Sequence, residues 1–263
     1  MTPKSHASGD GPPPPQPART EPGGPIRFDN GPTREAPPFT REEFDRSEAR
    51  LLHGGRWGNA DISLFRKGGE AWVVKDFRHC PFGVRQTWGF LMAGRELSAL
   101  RRLSGIPGFP EDAFRLDRYA IAYRFVPGNE IGQADPAFMT PGFFESLEFL
   151  VERMHGRDIA HLDIRTGGNV LVTDRGNPLL LDFQSHVDLR GLPRFLLRIL
   201  VAVDRAGVYK HWAIRAPGTM GEEREAYLRR MNAWRRYWIL KGYLGVRPGD
   251  PRPADSRDPE RHR

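Results

Sequence analysis

The stretch HLDIRTGGNVLV, His161 to Val172, sets Asp163 beside a histidine and Asn169 a few residues further on, immediately before a β-branched run. VLVT, the turn residues DRGNP and the run LLL then read as a β-hairpin leading to Asp182. Such a hairpin holds Asn169 at the start of one strand and Asp182 at the end of its partner. Both oxygen side chains then emerge from one end of the hairpin. Two hard oxygen donors placed there suit Mg²⁺ shared with phosphate groups.

Upstream, LLHGGRWGNADISLFR reads as strand, glycine turn, strand, and KGGE turns the chain into the strand AWVVKDF. On that strand Ala71, Val73, Lys75 and Phe77 share one face, so a lysine sits in an apolar row. GVRQTWGFLMAGRELSALRRL follows with helical period, ended by Gly105 and Pro107. Its stripe is Trp88, Met92, position 96, Ala99, Leu100 and Leu103, and position 96 is Glu96. A buried unpaired charge is costly, so an inward Glu96 requires a cation, and Lys75 has the complementary need. Taken singly, each has a plain alternative as a solvated rim residue.

Strands around FRLDRYAIAYRFV lead to PGNE, a Pro/Gly turn that reads as a linker between lobes. A helix is expected next, with Thr140 as N-cap, Pro141 at its first position and Phe143, Phe144, Leu147, Leu150, Val151 and Met154 facing the core. Thr219 with Glu222 reads as a capping box opening a last helix. On that helix Tyr227, Met231, Trp234 and Trp238 form a stripe, with Arg229, Arg230, Arg236 and Lys241 largely elsewhere. Such a helix suits an anionic membrane surface, and equally a structural role with its aromatics packed on the core.

The chain has 263 residues, a net charge of +7 and a pI near 9.9, which favours an anionic partner without choosing one. No nucleic-acid recognition motif accompanies the charge. Cys80 is the single cysteine, so an intrachain disulfide and a Cys-based zinc site are excluded, and a reducing compartment is implied. The stretch FLLRILVAV is broken by Arg198 and too short to span a bilayer. A cytoplasmic protein is expected, with peripheral contact at the inner membrane as the extension. Pro/Gly-rich composition assigns 1–40 and 246–263 to a disordered leader and tail.

In order, the chain presents a glycine turn, an inward lysine, an inward glutamate, His-x-Asp, Asn and Leu-Asp-Phe. Over roughly residues 51 to 185 this set resembles the protein-kinase-like fold. The resemblance implies an α+β chain with two lobes. Its N-lobe, a small antiparallel sheet plus a helix, covers 41–127, and a reduced, mainly helical C-lobe covers 128–245. In GGRWG, Gly55 and Gly58 match the second and third glycines of the nucleotide loop and Trp57 its aromatic, while His53 stands at the first glycine. By the resemblance, Lys75 contacts the α/β-phosphates of ATP and pairs with Glu96, and Asp163 accepts the acceptor hydroxyl's proton. Asn169 and Asp182 hold Mg²⁺, Arg165 lies near the transferring phosphate, and Phe125 and Val126 join the nucleotide site. His161 is expected to serve as a scaffold that hydrogen-bonds the loop.

Two departures stand out. The catalytic loop of this family has four residues between Asp and Asn, whereas Ile164 to Gly168 make five here, which a bulge at Gly167 and Gly168 would absorb. Gln184 replaces the glycine after Asp182 and Phe183, which should stiffen that segment. No activation segment follows. The compact C-lobe is similar to that of bacterial lipopolysaccharide-core sugar (Kdo/heptose) kinases or RIO-like kinases. The implied function is ATP-dependent phosphorylation of a hydroxyl on a core sugar, with a Ser/Thr protein kinase as the alternative. The competing class is a nucleotide-binding pseudokinase scaffold.

Overall fold

The computed structural model describes residues 37–55 and 59–237. Trp57, Gly58, Trp238, Lys241, the leader before residue 37 and the expected tail lie outside the described residues.

Helix α1 (Arg41–Asp45) opens with Thr40 as N-cap and Glu43 returning a bond to Thr40 N at 2.8 Å. The sheet comprises β1 (Arg50–His53), β2 (Asp61–Lys67), β3 (Glu70–Asp76), β4 (Phe114–Arg115) and β5 (Ala120–Arg124), with α2 (Phe90–Leu103) inserted after β3. All pairings are antiparallel in the order β1-β2-β3-β5-β4. Side chains alternate along β3. Trp72 and Val74 pack with Phe39, Phe65 and Ala122, whereas Phe77 joins Met92, Ala93 and Leu97 of α2 on the other side. Phe39, which composition assigns to the leader, is fully buried, with its ring 4.5 Å from that of Phe65. The sheet therefore has both faces covered.

Periodicity errs at the start of α2. Residues Arg85–Gly89 form a π-helical turn, which takes up an extra residue and rotates the side chains before it off the stripe that follows. Trp88 is accordingly 49% exposed, while Met92, Glu96, Ala99, Leu100 and Leu103 stay buried.

PGNE is only partly the expected turn. Gly128–Glu130 is strand β6, and after α3 (Pro141–His155) and β7 (Ile159–Ala160) it is joined by β8 (Val170–Thr173) and β9 (Pro178–Leu180) in a sheet of order β6-β8-β9. The predicted hairpin is the β8-β9 pair, and Thr140 caps α3 as predicted. Strand β10 (Val187–Asp188) pairs with β7, and helices α4 (Arg194–Arg215) and α5 (Glu222–Tyr237) complete the C-lobe.

The apolar face of α3 is buried, and Trp212 of α4 stacks on Phe144 at 5.4 Å. Burial contributes roughly 1.5–3 kcal/mol for each large apolar side chain. Thr219 does not cap α5: its Oγ1 accepts from Trp212 Nε1 at 3.0 Å and donates to Ala216 O at 2.8 Å, and the helix begins only at Glu222. Tyr227 and Leu228 pack against the core, with Tyr227 edge-on to Tyr209, which accounts for part of the α5 stripe. Among the described residues, no helix is long and apolar enough to cross a membrane.

Candidate active site

Lys75 sits mid-strand in β3, opposite Ile62 and Ile121, and is 3% exposed; Glu96 on α2 is fully buried. Lys75 Nζ donates to Glu96 Oε1 at 2.8 Å, to Oε2 at 3.0 Å and to Asp182 Oδ1 at 3.1 Å. The cation that an inward Glu96 requires is thus Lys75. Burial opposes the lysine charge, but the carboxylates of Glu96 and Asp182 outweigh it and raise its pKa above the ordinary lysine range. For Asp182, burial pulls the carboxyl up, yet Lys75 and the Gln184 amide bring it below its usual value. Asp182 is therefore ionised, and its side chain is 42% exposed.

The segment after Asp182 is anchored to α2. Arg95 donates to Gln184 O at 3.3 Å and also to His186 O. Phe183 is buried, with its ring 5.9 Å from Phe109 and 4.8 Å from His161.

Between β7 and β8, Thr166 Oγ1 donates to Asp163 Oδ1 at 2.6 Å. Asn169 Nδ2 donates to Asp163 Oδ2 at 2.8 Å and to Asp163 O at 2.9 Å. Its two acceptors fix the amide's orientation, leaving Oδ1 as the atom Asn169 can offer a cation. The fifth residue is taken up by a 3₁₀ turn over Gly167–Asn169, in which Asn169 N donates to Thr166 O at 3.1 Å. Neither glycine has a positive φ, so the loop shortens by turning rather than by a left-handed bulge.

Asn169 O accepts from Leu181 N at 2.9 Å across the hairpin, which sets Asp182 one residue beyond its opposite number. Among the described residues, no three His, Cys, Asp or Glu side chains gather as a metal centre. One amide oxygen and one ionised carboxylate fit Mg²⁺, which keeps waters and phosphate oxygens as its other ligands.

Asp204, which sequence reading missed, holds the loop in place. Its buried carboxylate accepts from His161 N at 2.8 Å, from Leu162 N at 2.6 Å and from His155 Nε2 at 3.0 Å. Leu162 has φ +68°, a left-handed conformation that costs an L-residue about 1–3 kcal/mol unless its surroundings enforce it. His161 is a scaffold in this geometry: Nε2 donates to Leu181 O at 2.8 Å and Nδ1 accepts from Asp163 N at 3.3 Å. The loop also rests on α4 at Gly207, where a Cβ would lie 2.9 Å from Ile164 Cβ.

Below the loop, His211 Nε2 donates to Ile164 O at 2.9 Å. Burial first, then the neighbouring Lys210, Arg215 and Arg165, push its pKa down to about 4. The unfolded chain would titrate near 6.5, so the folded state binds fewer protons between these values. Stability present above that pH is lost as pH falls toward 4, by about 3 kcal/mol. Urea melts at pH 7 and pH 5 should show about 2 kcal/mol of this loss, and His211→Gln, which keeps an N–H donor, should flatten it.

Of the remaining candidates, Gly55 N donates to Asp61 Oδ1 at 2.7 Å, and a Cβ at Gly55 would meet Asn59 O at 2.1 Å, so the turn demands glycine. Gly58 lies outside the described residues. Phe125 N donates to Ala71 O at 2.9 Å at the lobe junction, with half-buried Val126 next in chain. Arg165 Nη1 donates to Ala206 O at 3.5 Å on α4. Burial raises the Cys80 thiol pKa, in keeping with an ordinary thiol.

No protein-family model matches the chain, and no curated protein matches it. Among solved structures it is similar to the Rio2 kinase–ADP/Mg²⁺–phosphoaspartate complex from Chaetomium thermophilum, with a TM-score of 0.51 and 18% identity over 72% of this chain and 63% of that one. A second structure of the Rio2 kinase from the same organism gives a TM-score of 0.49 and 16% identity over 75% of this chain and 76% of that one. The two-lobed architecture and the first of these likenesses together identify the fold: this chain is protein-kinase-like.

Proposed function

We propose that the chain is an ATP- and Mg²⁺-dependent phosphotransferase acting on a hydroxyl. The observation that carries this reading is the Asp163 carboxylate, held by Thr166 and Asn169, whose backbone pairs with Leu181 next to the ionised Asp182 that Lys75 ties to Glu96. In it, Asp163 accepts the hydroxyl proton as the acceptor oxygen bonds to the γ-phosphorus and the bond to the ADP oxygen breaks. Lys75 orients the α/β-phosphates. Asn169 and Asp182 would hold Mg²⁺, whose charge offsets that of the β- and γ-phosphate oxygens.

For the acceptor we favour a lipopolysaccharide-core sugar at the inner face of the cytoplasmic membrane. Its support is the short connection from Ser185 to α4, with only the two-residue β10 between them, which leaves little chain to seat a peptide. The second reading, a Ser/Thr protein kinase, is favoured by the likeness to a kinase solved with ADP and Mg²⁺. The test is to incubate the full chain with γ-labelled ATP, Mg²⁺ and either core glycolipids or a protein mixture. Label in the glycolipid supports the first acceptor, and label in protein alone assigns the second. Nucleotide binding without transfer to any acceptor would overturn both.

A further inference from the structure

At the end of the N-lobe where α2 begins, aromatic rings and guanidinium groups alternate across the surface. Arg85 lies over Phe82 at 5.7 Å and Tyr119 at 5.5 Å, Arg118 over Tyr119 at 5.6 Å and Phe90 at 5.4 Å, and Arg115 over Phe90 at 5.8 Å. Phe82 is 72% exposed, and Trp88, Phe90 and Leu91 add further exposed apolar surface along the same segment. Among the described residues none of the three arginines has a carboxylate partner: Asp117, which acts on Arg115, is bonded to Arg41 at 2.6 Å. Arg85 Nε is buried without a hydrogen-bond partner.

This surface combines two unmet needs. Among the described residues its large apolar side chains lack cover, and its three cations lack a carboxylate bonded to them. A protein core would meet only the first need and a small anion only the second. We propose that this face of the N-lobe docks on an anionic lipid bilayer. Phe82, Trp88, Phe90 and Leu91 enter the interface, and Arg85, Arg115 and Arg118 meet lipid phosphates. Single-stranded nucleic acid fits less well, because Tyr119 and Phe90 each carry two guanidiniums where bases would stack, and Leu91 offers no ring.

The proposal does not depend on phosphoryl transfer, so its test uses no turnover. The full chain is floated with vesicles of phosphatidylcholine alone and of phosphatidylcholine with phosphatidylglycerol at about 70:30. Binding to the mixed vesicles is expected, with a blue shift in tryptophan emission that Trp88→Phe removes. Phe82→Ser combined with Leu91→Ser should lower partitioning at least about tenfold. Arg115→Gln combined with Arg118→Gln should erase the preference for anionic lipid. All of these positions lie at the surface, and unchanged thermal melts would show that the fold is retained. Absence of vesicle binding, or partitioning unaltered by both double variants, would overturn the proposal. So would binding of a single-stranded oligonucleotide through these residues without vesicle binding.

Discussion

Asp163→Asn lowers the rate of phosphoryl transfer by about 10²–10⁴-fold, the range for loss of a positioned general base, while nucleotide affinity stays within about threefold. The substitution keeps the size and planarity of the side chain. Asn169 can still donate to its oxygen, and the Thr166 hydroxyl can reverse its role and accept from the new amide. The loop should therefore hold its course. What disappears is the ability to take up a proton when the acceptor oxygen attacks. Single-turnover measurements with labelled ATP, alongside calorimetric nucleotide binding, separate the two effects. An unchanged rate would remove Asp163 from the chemistry and leave the loop a scaffold for other groups.

The second result concerns stability as much as activity. Lys75→Met strips Glu96 of its cation in a site where the carboxylate is fully buried. Breaking a buried pair in this way costs about 3–5 kcal/mol, and urea denaturation should register it as a lower midpoint with little change in slope. Lys75→Met combined with Glu96→Leu removes the orphaned charge, so most of that loss should be recovered, since buried pairs exchanged for apolar groups are often near neutral. Nucleotide binding should not recover with it, because on the proposed function the lysine that orients the phosphates is gone in both variants. A double variant as unstable as Lys75→Met would show that the pair does more than neutralise itself.

Lys75 and Glu96 were readable from sequence for the same reason. A charge that interrupts an apolar row must find a partner, and Lys75 and Glu96 each interrupt one. Asp204 leaves the same trace in the run FLLRILVAVDRAGV, but two of its three partners are backbone groups 42 and 43 residues away, which side-chain patterning cannot name. Thr166 was hidden differently, since a threonine in a loop is unremarkable until its hydroxyl is found on Asp163. The π turn before α2 changes the period itself, so Trp88 was assigned to a face that it leaves. Strands of two or three residues, such as β6, β7 and β10, are too short to show alternation. Thr219 has the spacing of a cap, but Trp212 claims its hydroxyl first.

The way Asp204 grips the loop has a consequence for what the chain can tolerate. At positions 161 and 162 its carboxylate binds peptide N–H groups, so those two bonds do not depend on the side chains there. The loop's shape is in that respect separated from its composition. Residue 162 could vary while the neighbouring aspartate keeps its bearing. Substitution at position 204 has no such freedom, so part of the loop's intolerance lies on a distant helix, at Asp204 and at Gly207 beneath Ile164.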